Sequence, residues 1–110
     1  MAKTLSAPPL AALRTLQALA DENRLRIVEA LRDGERCVCE LQADLGLGQS
    51  LLSHHLRALR ESGLVLDRKE GRWVHYSLSD GTVEELESYL RGLREDAAVA
   101  GPHGRGCSVS

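Results

Sequence analysis

Phenylalanine is absent from the 110 residues of the chain, and one tryptophan and two tyrosines make up its whole aromatic complement. Any core must therefore be built from Leu, Val, Ile and Ala, which suits packed helices better than a β-sandwich. No apolar run approaches the roughly 18 residues of a membrane span, and the opening MAKTLSAPPL lacks the apolar centre of a signal peptide, so a cytoplasmic protein with no membrane partner is expected. Cysteine is scarce as well. Three thiols in a reducing compartment argue against a disulfide framework and leave metal binding, redox sensing or simple burial. Catalytic machinery is missing too: there is no nucleophile with a base, no paired carboxylates and no glycine-rich phosphate loop, so neither an enzyme nor an organic cofactor is expected.

The length allows one domain, large enough to bury roughly 60 to 70% of its unfolded surface. A net charge of -2 argues against indiscriminate nucleic-acid binding, but the charge is unevenly spread. Between Gln49 and Ser79 five Arg or Lys stand against three acids, whereas between Asp80 and Asp96 six acids stand against two arginines. A basic surface inside an acidic protein is compatible with DNA binding.

Residues 1–9, with two prolines, read as a flexible arm. Leu10, Leu13, Leu16, Gln17 and Ala20 recur at helical spacing. Asp21 reads as the N-cap of a second helix, Glu22 to Arg32, with Leu25, Val28 and Leu31 inward and Asp33-Gly34 ending it. A short helix from Cys37 to Leu45 precedes Gly46-Leu47-Gly48, the kind of turn a helix-turn-helix requires. The next helix opens at Gln49 or Ser50 and runs to Ser62. Leu52, Leu56 and Leu59 form its core stripe, and His55 falls between them as a partly buried histidine. Gln49, Ser50, Ser53, His54 and Arg57 lie toward its start and outer arc, where a recognition helix meets base edges and phosphates.

Leu64–Lys69 and Arg72–Leu78 alternate as strands about a Glu70-Gly71 turn, with Val74, Tyr76 and Leu78 on one face and Trp73, His75 and Ser77 on the other. A hairpin directly after a recognition helix is a wing, and Arg68, Lys69 and Arg72 near its tip are placed for a phosphate or the minor groove. The last helix begins at Ser79 or Asp80. Its stripe of Val83, Leu86, Leu90 and Leu93 has nothing in so small a domain to cover it, which pairs it with the first helix across a two-fold homodimer interface. Residues 97–110 read as a flexible tail carrying Cys107. The expected fold is thus mainly α with a β-hairpin wing, a dimeric winged helix-turn-helix over residues 10–96.

Four segments in this order, LADENRLRIVEAL, CVCEL, SLLSHHLRALRESGLV and EGRWVHYSL, resemble the ArsR/SmtB family of winged-helix metalloregulators, bacterial repressors of metal and metalloid resistance genes. The resemblance runs from about Leu16 to Leu93 and is greatest to the arsenic(III)-responsive repressors. It implies an apo dimer on double-stranded operator DNA, an inverted repeat with half-sites about one helical turn or a multiple apart, released when inducer binds. Cys37 and Cys39 stand where the family's arsenic and antimony sensors, and some cadmium and lead sensors, carry thiolates. As(III) or Sb(III) is the implied inducer, with Cd(II) and Pb(II) as further candidates, and soft thiolates select such ions over magnesium or calcium.

A helix-start position and the neighbouring Arg36 are expected to lower the thiol pKa values. On an ideal helix Cys37 and Cys39 point about 200° apart, so joint ligation would unwind the first turn and tilt the reader helix off its groove. Many arsenic sensors of the family carry a third Cys three residues after the second. Gln42 occupies that position here, which leaves Cys107 as the remaining thiol for a third ligand. The family's zinc site of Asp, His and Glu on the last helices is missing, since the last helix has no His.

Two other readings use the same residues. One is a thiol redox or persulfide-responsive repressor built on Cys37 and Cys39, disfavoured by the strain of bridging cysteines one residue apart. The other is a constitutive DNA-binding module in which the pair is merely buried. His103 is expected to be solvent-exposed, and Trp73 to serve as wing packing.

Overall fold

The computed structural model describes residues 9–100, with side chains through residue 95. Its order is α1 (Leu10–Leu19), α2 (Glu22–Ala30), β1 (Arg36–Cys37), α3 (Val38–Leu45), α4 (Gln49–Glu61), β2 (Val65–Glu70), β3 (Trp73–Leu78) and α5 (Asp80–Ala100). This is the winged helix-turn-helix expected, mostly helical with one small antiparallel sheet.

Helix α1 starts after Pro9 and turns Ala12, Thr15 and Ala18 inward, leaving Leu10, Leu13 and Leu16 on its outer side. Asp21 caps α2 as its residue type dictates: Oδ1 accepts from the amides of Asn23 (2.8 Å) and Arg24 (3.2 Å). The inward face of α2 differs from expectation. Ile27 and Leu31 are buried, whereas Leu25 is 47% exposed and Val28 packs at the margin. The helix ends at Ala30, two residues earlier than its periodicity suggests, and Gly34 takes a left-handed φ of 137° in the connection that follows.

Around α4 the core closes. Leu52, Leu56 and Leu59 are fully buried as their spacing predicts, together with Ile27, Leu31 and Leu41 from the preceding helices and Leu64 and Val65 from the wing's root. Gly46 ends α3 in the left-handed region at φ 66°, where a residue with a Cβ is strained. Gly63, at φ 86°, does the same after α4, and its carbonyl accepts from the Thr82 hydroxyl at 2.8 Å, tying the wing's root to α5.

Four features of the sheet and of α5 differ from expectation. The hairpin register pairs Glu70 with Trp73, so the turn is Gly71-Arg72 rather than Glu70-Gly71. Gly71 has the positive φ (62°) that the first position of a two-residue hairpin turn demands. A third strand, β1, joins the sheet in the order β1-β3-β2, and its two residues are too few to show any alternation in sequence. Finally α5 continues to Ala100, past the expected boundary at residue 96. Trp73 is 51% exposed on the wing, not packed within it.

Candidate nucleic-acid interface and thiol site

The strong amphipathicity of α4 determines what is left for a ligand. With one face committed to the core, Gln49, Ser50, Ser53, His54 and Arg57 are all exposed and together line one open concavity of about 490 Å³. Arg57 stays largely free, with only a loose 3.7 Å contact to Glu61 one turn on. His54 points out while His55, beside it, is buried and accepts at Nδ1 from Arg24 Nε (3.1 Å). Burial pushes the His55 pKa below its usual value; Asp21 pulls the other way, and Arg24 and His54 add to the lowering.

On the wing, the three basic residues separate. Lys69 and Arg72 are exposed and make no ion pair among the described residues. Arg68 is different: Glu35 holds its Nε and Nη2 at 2.9 and 2.7 Å, and Glu70 takes Nη1 at 3.2 Å. Hydrogen bonding to Arg68 pulls the Glu35 carboxyl below the ordinary carboxylate value, and the same pairing raises the guanidinium. Expected as a DNA contact, Arg68 directs three donors to Glu35 and Glu70 while its side chain stays 51% exposed.

The cysteines also sit differently from an ideal helical pair. Cys37 is not inside α3 but is its N-cap, with extended backbone (φ -80°, ψ 159°), its amide donating to Glu40 Oε1 at 3.0 Å. Leaving the helix at Cys37 removes the 200° divergence, and the two sulfurs meet in a disulfide across a Cα separation of 5.4 Å. The expectation that such a bridge is disfavoured is therefore corrected, and no helical turn must unwind for both sulfurs to reach one point. Cys37 is buried and Cys39 exposed. Arg36, expected to favour thiolates, is ion-paired with Asp44 instead.

Among the described residues no three His, Cys, Asp or Glu side chains converge as a metal site. Cys107 and His103 lie outside the described residues. What the sequence did not disclose is the neighbourhood of Cys37: β1 places it opposite His75, and His75 in turn stands opposite Arg68. The pair can thus bind a soft ion through two thiolates when reduced, or exchange between dithiol and disulfide, at the start of the helix that leads into α4.

Among the described residues, no helix is long and apolar enough to cross a membrane. A family model described as "Bacterial regulatory protein, arsR family" matches residues 21–66. The chain is 54% identical over 68 residues to the arsenical resistance operon repressor of Escherichia coli K12, which is 61% of this chain and 58% of that protein's length. It is 38% identical over 93 residues to the cadmium resistance transcriptional regulatory protein CadC homolog of Staphylococcus aureus, spanning 83% of this chain and 77% of that one. Reduced HlyU from Vibrio cholerae N16961 superposes with a TM-score of 0.63 at 43% identity, over 74% of this chain and 87% of the other. The two sequence relatives are named as transcriptional regulators, not as enzymes. With one relative covered over three quarters of its length and a solved structure over most of its own, the chain belongs to the arsR family of bacterial regulatory proteins.

Proposed function

We propose that this protein is a metalloid-responsive transcriptional repressor of the cytoplasm, which binds operator DNA as an apo homodimer and lets go when As(III), Sb(III) or a soft divalent ion is bound by Cys37 and Cys39. The observation that carries the reading is the convergence of the two sulfurs at the N-cap of α3, one short helix ahead of the exposed arc of α4. Gln49, Ser50, Ser53, His54 and Arg57 read the major groove, and Lys69 and Arg72 hold phosphate or enter the minor groove. The relatives named for arsenical and cadmium resistance support the thiophilic class of inducer. Bound there, such an ion supplies a cross-link between the two sulfurs; Cys107 is the third thiolate for a trivalent ion, from the same subunit or its partner.

A second reading is favoured by one observation, the Cys37–Cys39 disulfide itself. In it two thiols give two protons and two electrons to an oxidant such as peroxide, and a dithiol reductant reverses the step. Likeness to a protein whose solved structure is described as reduced HlyU fits this alternative.

Operator retention separates the readings. With reduced protein on its operator, arsenite or antimonite is expected to release the DNA and peroxide to leave it bound. Retention in arsenite with release by peroxide would transfer the assignment to the redox reading. Cys37→Ser and Cys39→Ser should bind operator yet resist arsenite, and Cys107→Ser should weaken metalloid binding while keeping a response. A thiolate-to-metalloid absorbance titration counts two or three sulfurs per subunit and settles the role of Cys107.

A further inference from the structure

The thiol pair and the wing are physically joined. Strand β1 ends in Cys37 and lies along β3, while Glu35, immediately before β1, reaches over to grip Arg68 on β2 at two points. Arg68 passes the connection on: its third donor goes to Glu70, whose carboxylate also lies 3.6 Å from His75 Nε2. Residues opposite one another in an antiparallel sheet share a face, so Cys37, His75 and Arg68 stand in one row across the three strands. The row begins at the sensor and ends at the hairpin whose tip carries Lys69 and Arg72.

We infer that Glu35 and Arg68 form a positioning pair that carries the state of Cys37 and Cys39 to the wing, and that Arg68 acts through this pair and not as a DNA contact. The inference rests on the proposed regulatory role of the cysteines. Two residues of strand make few hydrogen bonds, so the seat of β1 on β3 depends on what braces it from outside. The two-point guanidinium–carboxylate pair is that brace, because it fixes orientation as well as distance. Cys37 is both the last residue of β1 and the N-cap of α3, and any change in its backbone moves Glu35 two residues away. When Glu35 moves, Arg68 and the β2–β3 hairpin lose their anchor, and the wing cations shift off the DNA.

The test needs no inducer, since reductant and oxidant set the two states of the pair. Hydrogen exchange of the β2–β3 amides and emission of Trp73, which pairs with Glu70, report the wing in full-length protein. The parent should differ between dithiol and disulfide forms in both signals. Glu35→Gln and Arg68→Gln should each abolish that difference with the thiol count unchanged. The double variant should lose no more than either single one. A parent wing indifferent to thiol state, a single variant that keeps the full difference, or strictly additive losses would each overturn the inference. If arsenite fails to release the parent from DNA while the wing still follows the thiol state, the metalloid reading falls and the coupling stands.

Discussion

His55 occupies a position on α4 between Leu52 and Leu59 where a leucine would pack, and its ring is buried with Arg24 donating to Nδ1. The neutral ring is the form that accepts this bond, and burial lowers the pKa below 6.5, against Asp21 and with Arg24 and His54. Above pH 6.5 the ring is neutral in both folded and unfolded chains and its contribution is complete. As pH falls through 6.5 the unfolded chain takes up the proton first, so stability declines until the lower folded pKa is passed. His55→Gln keeps an acceptor for Arg24 without a titrating proton. Urea titrations at pH 7.5 and 5.5 should show a smaller acid loss in the variant than in the parent, and equal losses would dismiss the role. Arg57 gives a second residue-scale prediction: Arg57→Ala should weaken operator binding by about 1 to 3 kcal/mol if it reads a guanine, and evenly across sequences if it holds phosphate. Unchanged binding in a gel-shift titration would remove α4 as reader. Both residues were legible because a strong apolar stripe assigns every other position of the helix to a side. Glu35 and Arg68 were not, since they are 33 residues apart and meet only through a strand register that two residues cannot announce.

At the scale of elements, the turn between α3 and α4 fixes how the reader is presented. Gly46 sits at φ 66° with nothing within 4 Å of where a Cβ would stand, so substitution there meets backbone strain alone. Gly46→Ala should cost about 1 kcal/mol of stability in urea titration, with helical content retained. A neutral change would mean that the turn adopts another conformation in solution. Periodicity located α3, α4 and both wing strands, where alternation or a 3.6-residue repeat runs for several residues. It failed in part at α2, where Leu25 and Ile27 compete for the core two residues apart and Ile27 is the one buried, while Leu31 is buried as expected. It failed also at Cys37, which helical geometry placed inside α3 and the cap geometry placed before it. That single position changed the thiol site from two diverging sulfurs to two that meet.

For the whole molecule, the apolar surface that α4 does not use lies on α1 and α5. These helices touch each other, with Ala12 and Thr15 of one and Thr82 and Leu86 of the other lining a shared concavity, yet Leu10, Leu13 and Leu16 on one and Val83, Leu90 and Leu93 on the other remain exposed, Leu93 by 53%. Singly exposed leucines need no explanation, but two stripes on adjoining helices are a candidate interaction surface. A second copy of the chain is the occupant that fits the proposed function, because an inverted repeat presents two half-sites and one protomer supplies one reader helix. Affinity then depends on association: without the partner, each α4 pairs with its half-site alone and loses the gain in effective concentration. Leu90→Glu together with Leu93→Glu buries two charges in the proposed interface while altering no core residue of the protomer. Sedimentation should show the parent at twice its 12.0 kDa chain mass and the double variant at one, with unchanged helical content. Operator binding should fall by more than tenfold, and a half-site duplex should be bound equally by both proteins. A parent that sediments as a single chain, or a variant that stays dimeric, would place the interface elsewhere and return the stripes on α1 and α5 to ordinary surface.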